Sequence, residues 1–263
     1  MRDKDVFIIQ STAPPVNDHL MELPAFADGC RRASAARIIA VVPYFGYARS
    51  DKRHGRREPI GARLVADLLE TSGIDHLITI DLHSSQIEGF FHVPVDSLSA
   101  VCALADAVKP VLPPGTVVVS PDVGRLKMAT LYAQRLKTSV VLLHKTRETG
   151  TKTHVTHLVG DVRDRPCLVV DDMISTGGTI LEAVERVLQE GAQPGIFVAA
   201  THGLLLTGAR AKLSSDSVTS VFITDSVEKP VERWPAVHTV SVAPLIAETI
   251  QRVTSGQLVG GTI

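Results

Sequence analysis
Two carboxylates followed by a hydroxyl- and glycine-rich turn are the residues of this chain best suited to chemistry: Asp171-Asp172, then Ser175-Thr176-Gly177-Gly178-Thr179. The carboxylates cannot hold a phosphate; they suit sugar hydroxyls or a hydrated Mg²⁺. Glycines let the backbone turn tightly and approach a ligand, while hydroxyls and the free N–H groups opening a helix can hold a phosphate. The bland alternative is an ordinary strand-to-helix turn with an acidic lip. The succession of strand, paired acid, hydroxyl-glycine loop and helix argues against it.

The elements that must position this run are readable around it. Cys167-Leu168-Val169-Val170 is a short apolar run, as expected of a strand buried on both faces of a parallel sheet. The acidic pair then falls at its carboxyl end, where open α/β sheets place their ligands. Beyond the glycines, Ile180, Leu181, Val184 and Val187-Leu188 recur at helical spacing.

Three further groups could serve the same chemistry. Arg49, Lys52, Arg53, Arg56 and Arg57 follow a strand ending at Val42, and arginine forks and lysine charges there suit a polyphosphate; a solvated basic loop fits them equally. His83 follows Asp81 after another strand, and Asp122 holds the equivalent place in the second half. Together a histidine nitrogen and a carboxylate could bind Mg²⁺, although nitrogen is an unusual partner for it and a lone histidine is more often structural. Lys145 and Arg147 lie on a polar stretch that could close over reacting phosphates; taken alone, they read as a surface loop. No GxSxG elbow, Walker loop, GxGxxG fingerprint or HExxH pair occurs, which weakens hydrolase, P-loop, dinucleotide and zinc-protease readings.

The strands expected are Val6–Gln10, Ile38–Val42, His76–Ile80, Val117–Ser120, Val140–Leu143, Val155–Val162, Cys167–Val170, Ile196–Thr201, Val218–Ile223 and Thr239–Val242. Helices are expected over 19–32, capped by Asn17 or Asp18 and kinked near Pro24, from Pro59 to Ser72, over 101–108, to Leu136, after Gly178, near 207–213 and over 243–253. His144 to His154 reads as a mobile loop and Val93 to Asp96 as a hinge between halves. This alternation predicts an α/β protein of two doubly wound parallel-sheet domains.

Composition agrees. With 263 residues the chain can bury substantial cores, and 44% hydrophobic against 21% charged residues is ordinary for a soluble globular protein. A net charge of −1 gives no support for a nucleic-acid or membrane-surface role. No apolar run approaches membrane-spanning length, and no secretory leader precedes Val6. Cys30, Cys102 and Cys167 are odd in number and widely spaced, which fits a reducing cytoplasm better than a disulfide framework.

The run Asp171 to Thr179 resembles the ribose 5-phosphate loop of phosphoribosyl diphosphate (PRPP) binders. Read with Phe7-Ile8-Ile9-Gln10-Ser11-Thr12, Asn17-Asp18-His19-Leu20-Met21-Glu22-Leu23, Pro43-Tyr44-Phe45-Gly46-Tyr47-Ala48-Arg49, Asp81-Leu82-His83, Pro94-Val95-Asp96, Ser120-Pro121-Asp122 and Gly160-Asp161-Val162, the chain resembles the ribose-phosphate diphosphokinase (PRPP synthase) family along nearly its whole length. The resemblance implies two domains of the type I phosphoribosyltransferase kind, over 1–98 on the ATP side and 99–263 on the ribose 5-phosphate side, with the last strand and helix open to sharing with the first. It implies transfer of the β,γ-diphosphoryl group of ATP to O1 of ribose 5-phosphate, giving PRPP and AMP. Arg49, Ser50, Asp51, Arg57 and Asp96 would lie on the ATP side, and His83 and Asp122 would hold Mg²⁺. Asp171 and Asp172 would bind the ribose hydroxyls and a metal, Ser175 to Thr179 the 5-phosphate, and Lys145 and Arg147 would be the catalytic basic pair. A cytoplasmic homo-oligomer, dimer-based and up to a hexamer, is also implied. A non-catalytic homologue that regulates a full-length partner is the alternative.

The chain departs from the family pattern in places. Family members usually carry Gln where this chain has Ser50, a second Gly at Arg125 and often Asp at Ser175, and their basic loop reads Lys-Arg-Arg where this one is Lys145-Thr146-Arg147. They also begin with a strand, a helix and a hairpin ahead of the point where Met1 falls. The expectation is therefore a miscalled internal start or a natural short form, with an edge of the first sheet exposed.

Overall fold
Short apolar runs, each followed by glycine, proline or polar residues and then a helical pattern, form successive parallel strands with helices between them. The computed structural model describes residues 1–53, 55, 57–148, 152–214, 217–228 and 234–259, and of residues 145–148 and 152–156 the backbone alone. One unit draws its described residues from 1–99, 226–228 and 242–263, the other from 100–225 and 229–241.

In the first unit, β1 (Asp5–Ile9), β2 (Arg37–Val42), β3 (His76–Ile80) and β4 (Val95–Leu98) form a parallel sheet in the order β1-β2-β3-β4. Helix α1 (Val16–Arg32) joins β1 to β2, and α2 (Gly61–Ser72) joins β2 to β3. Each buries one stripe: Leu20, Leu23, Ala27 and Cys30 on α1, and Ala62, Val65, Ala66 and Leu69 on α2. These stripes pack with Ile38, Ala40 and Val42 of β2 and Leu77 of β3. Leu23, Leu69 and Leu77 are fully buried, each burial contributing about 1.5–3 kcal/mol. Helix α2 stops at Gly73, whose left-handed φ of +96° lets its N–H turn back onto the Glu70 carbonyl.

In the second unit, β5 (Val117–Ser120), β6 (Val140–Glu148), β7 (Lys152–Val159), β8 (Cys167–Ile174), β9 (Ile196–Gly203), β10 (Val218–Thr224) and β11 (Val237–Val240) form a sheet ordered β11-β10-β9-β8-β5-β6-β7. All pairings are parallel except β6 with β7. Helices α3 (Val101–Val108), α4 (Leu126–Leu136), α5 (Gly178–Gln189) and α6 (Ala209–Leu213) belong to this unit, and α7 (Ala243–Thr254) to the first. Every residue of β8 and β9 is buried, and α5 packs Ile180, Ala183, Val184 and Val187 into the same core. Strand order reverses between β5 and β8. Loops leaving a sheet at such a point diverge and open a crevice.

Four expectations change. Of the polar stretch His144 to His154, the described residues are strand: β6 continues to Glu148 and pairs antiparallel with β7, with Leu142 opposite Val159 and Glu148 opposite Lys152, while residues 149–151 lie outside the described residues. Polar composition gives no buried-strand pattern there, whereas Thr146, Thr153, Val155 and Thr156 carry β-branched propensity for an extended backbone. The strand begun at Cys167 runs four residues beyond Val170, through the acidic pair, because β9 supplies partners up to Gly203. Neither Asn17 nor Asp18 caps α1, which starts after Pro15; Asn17 instead accepts from the Tyr47 hydroxyl at 2.7 Å, and the helix continues through Pro24. Val93–Asp96 is no hinge, since Val95 and Asp96 enter β4 and pair with Leu77 and Ile78.

Candidate active site
The acidic pair owes its setting to a difference in strand length. Pairing of β8 with β5 stops at Val169 opposite Val119, while pairing with β9 continues through Asp171 opposite Ala200 to Ile174 opposite Gly203. On the β5 side the last turn of β8 is therefore bordered by the segment that leaves β5. That segment is a short helical turn, Val123–Arg125, capped by Asp122: its Oδ1 accepts from the Arg125 N–H at 3.1 Å, and its carbonyl accepts from Ser120 Oγ at 2.8 Å.

This turn carries the Arg125 guanidinium onto the pair. Nε lies 3.5 Å from Asp171 Oδ1 and 3.4 Å from Asp172 Oδ1, and all three side chains are largely buried. The Asp172 N–H also donates to Asp171 Oδ1 at 2.8 Å. Burial, and next the adjoining Asp172 charge, push the Asp171 carboxyl well above the usual carboxylate range, against the opposing pull of Arg125 and of that N–H. The structure thus joins Asp122, Arg125, Asp171 and Asp172 in one cluster. Sequence reasoning noticed Arg125 only as an odd residue; its partners are 46 and 47 positions away, a separation no local pattern spans.

Beyond the pair the chain turns into α5. Gly177 takes φ +77° as N-cap residue, a left-handed conformation, and a Cβ there would stand 3.3 Å from Leu213 Cγ. No side chain caps the helix, so its first N–H groups face the loop without a side-chain acceptor. Ser175 is half-buried, Thr176 and Thr179 are exposed, and Gly178 would have its nearest Cβ neighbour, Thr176 Oγ1, at 3.9 Å. Leu206 N–H donates to the Ser175 carbonyl at 2.9 Å, and Lys212 Nζ to the Thr176 carbonyl at 3.1 Å. Lys212 on α6 brings a cation beside the loop. It was missed, and a lysine in a five-residue helix carries no sequence signal.

In the first unit, the basic loop after β2 is anchored at both ends and open between. Thr12 Oγ1 donates to the Tyr44 carbonyl at 2.9 Å and accepts from Gly46 N–H at 2.6 Å, while Phe45 meets Phe91 edge-on with centroids 6.0 Å apart. At the far end Ser50 Oγ accepts from Gly61 N–H at 2.9 Å and its carbonyl from Ala62 N–H at 3.1 Å, so Ser50 holds the start of α2. Asp51 is buried, whereas Arg49, Lys52, Arg53 and Arg57 are exposed. Arg56 lies outside the described residues, and the side chains of Lys145 and Arg147 likewise; their backbones sit in β6 opposite Val155 and Thr153.

His83 follows β3 after Asp81, whose φ of +39° turns the backbone sharply as its N–H donates to the Leu98 carbonyl. It is half-buried, in the first unit, and Asp122 is half-buried in the second. Asp96 does not join the residues at the strand ends: level with Ile78 in mid-sheet, its carboxylate reaches back 2.8 Å to His76 Nε2 at the start of β3. Among the described residues no three His, Cys, Asp or Glu side chains gather into a metal-binding group, and no helix is long and apolar enough to cross a membrane. Asp122 offers carboxylate oxygens of the kind Mg²⁺ takes, whereas the ring nitrogen of His83 is an unusual partner for it. Asp171 and Asp172 offer the right oxygens, but with Arg125 seated on them the pair does not fit a divalent ion.

Fold and site define the class: an α/β protein of two parallel-sheet units whose ligand-type loops leave the carboxyl ends of strands. Residues 1–73 match the family model for the N-terminal domain of ribose phosphate pyrophosphokinase, and residues 148–261 match that for the phosphoribosyl synthetase-associated domain. Ribose-phosphate pyrophosphokinase A of Dictyostelium discoideum is 43% identical over 260 residues, covering 98% of this chain and 82% of its own length. That of Agrobacterium fabrum is 43% identical over 264 residues, covering 99% and 85%. The crystal structure of phosphoribosylpyrophosphate synthetase from Mycobacterium smegmatis has a TM-score of 0.88 at 40% identity, covering 97% of this chain and 84% of that one. The chain belongs to the ribose-phosphate pyrophosphokinase family.

Proposed function
We propose that the chain is a ribose-phosphate diphosphokinase, transferring the β,γ-diphosphoryl group of ATP to O1 of ribose 5-phosphate. The observation that carries this reading is the uncapped α5 amino terminus, with its Gly177 turn, directly following the buried pair Asp171-Asp172. Within a family of ribose-phosphate pyrophosphokinases, that juxtaposition fits the two ends of ribose 5-phosphate. The 5-phosphate would rest on Ser175 to Thr179 and the α5 N–H groups, with Lys212 adding positive charge nearby. The ribose hydroxyls would face the acidic pair.

In the reaction O1 attacks the β-phosphorus as the bond from that phosphorus to the α,β-bridging oxygen breaks. AMP departs, and the O1 proton passes to solvent. No covalent residue is required; positioning and charge neutralisation do the work. Arg49 and Arg57 would hold the ATP phosphates on the first unit, near Asp51 and the Ser50 cap. Lys145 and Arg147 on β6 would neutralise charge developing on the transferred group. Mg²⁺, bound with ATP at His83 and Asp122, would supply further neutralisation of the phosphate oxygens. The cytoplasm is the proposed compartment, in keeping with three cysteines that are free thiols. Homo-oligomers built from dimers, up to a hexamer, are the proposed assembly, and exposed Met21 and Phe26 on α1 and Leu64 and Leu68 on α2 are apolar residues an interface could cover.

Incubation of the chain with ATP, Mg²⁺ and ribose 5-phosphate should yield AMP and PRPP in equal amounts, with each of the three required. A folded sample that forms neither product overturns the reading. It would favour a second one, a non-catalytic regulator of a full-length partner, for which the seating of Arg125 on the acidic pair is the specific observation.

A further inference from the structure
The site contains a cation of its own. Arg125 Nε stands within ion-pair distance of one oxygen of each carboxylate, at 3.5 Å for Asp171 and 3.4 Å for Asp172. The guanidinium is fixed from behind: the Arg125 N–H is held by the Asp122 cap at 3.1 Å, and the turn packs against both β8 and β6. The carboxylates are fixed as well. They lie within β8, are 7% and 1% exposed, and are tied to each other through the Asp172 N–H. Neither side of the pair can swing away as a surface side chain would.

We propose that Arg125 is a resident counter-cation, a positioning residue that takes the place of a divalent metal on Asp171 and Asp172, so that the pair meets the ribose diol without a metal of its own. Mg²⁺ or Mn²⁺ needs oxygen ligands at about 2.0–2.2 Å in a near-octahedral shell that retains several waters. The space on the turn side of the pair is filled by the guanidinium. A divalent ion brought to the same oxygens would sit against a like charge in a buried setting, where repulsion is poorly screened. Arginine, unlike lysine, keeps its charge in such a place and spreads it over a planar fork that can face two carboxylates at once.

The inference deepens the proposed function and rests on it only in treating the pair as part of the substrate site. Its test reads metal stoichiometry in the absence of substrates, so failure of one is distinguishable from failure of the other. Mn²⁺ bound to the full chain is titrated by electron paramagnetic resonance. Asp171→Asn should leave the number of bound Mn²⁺ per chain unchanged, because the pair holds none; loss of one ion overturns the proposal. In Arg125→Met the pair should gain one Mn²⁺, bound at least tenfold more tightly than any background site. Adding Asp171→Asn to that variant should abolish the gain, and Arg125→Lys should not show it. A folded Arg125→Met chain that binds no additional Mn²⁺ also overturns the proposal. Should Arg125→Met fail to fold, the Asp171→Asn comparison decides alone.

Discussion
The carboxyl ends of β8 and β2 both present charged residues, and they do so in opposite ways. After β8 the charges are buried and mutually bound: Asp171, Asp172, Arg125 and Asp122 form a closed cluster, and the turn that follows is fixed by Gly177. After β2 the ends of the loop are anchored through Thr12, Phe45 and Ser50, while Arg49, Lys52, Arg53 and Arg57 stand in solvent. Under the proposed function, a small uncharged sugar diol would meet preorganised groups with little freedom. A flexible polyphosphate would meet long cationic side chains that are little desolvated when unbound. The contrast separates a site built into the core from one laid on the surface.

Removing the buried charges should do the most damage. In Asp171→Ala with Asp172→Ala, PRPP formation should fall below detection, and taking both carboxylates away from the buried Arg125 guanidinium should cost about 3–5 kcal/mol, read as a lower urea midpoint. Adding Arg125→Met should recover most of that stability and none of the turnover. Unchanged turnover in the double variant would remove the pair from the site. On the surface side the effects should dissociate. Arg49→Ala or Arg57→Ala should lower kcat/KM for ATP about 10–100-fold, as expected for a charge-assisted hydrogen bond worth about 1.5–3 kcal/mol. The urea midpoint should not move, and a substantial fall in it would show that the loop is structural.

Smaller changes sharpen the same contrast. Gly177→Ala places a Cβ on a left-handed residue near Leu213; it should cost about 1–2 kcal/mol and raise KM for ribose 5-phosphate while leaving KM for ATP alone. Ser50→Ala should remove the hydrogen bond to the Gly61 N–H at the start of α2, at about 1 kcal/mol; a raised KM for ATP in addition would place Ser50 against the nucleotide as well. Least of all should happen at Cys167. Burial pushes its thiol up to about 11, so at pH 8 it is almost wholly protonated and should resist alkylation in the folded chain, with half-buried Cys102 reacting first. Mass mapping after iodoacetamide treatment checks the order.

Much of this was legible before any coordinates. The buried strand at Cys167, the helix after Gly178, and the strands at Ile38, His76 and Val117 follow from apolar runs and period, which report burial directly. The antiparallel pairing of β6 with β7 is not legible in the sequence because its residues are polar, and polarity does not say whether a backbone is extended. Strand β4 went unseen because Val95-Asp96-Ser97-Leu98 is too short and mixed to signal anything until β3 pairs with it. The contact between Asp96 and His76, 20 positions apart, likewise carries no local signal.

The division has a physical basis. The α/β class, the long apolar strands and helices and the acidic, hydroxyl and glycine residues of the Asp171–Thr179 run follow from the sequence alone, because burial, turn chemistry and helix starts are local properties of a chain. Only the tertiary structure decided that strand order reverses between β5 and β8, that β8 outruns β5, and that Arg125 fills the space so left. It likewise decided that Lys212 reaches the Thr176 carbonyl and that Ser50 Oγ accepts from the Gly61 N–H at the start of α2. Those facts depend on which strands become neighbours and how far each extends, and on contacts between residues far apart in sequence that exist only once the sheet has formed.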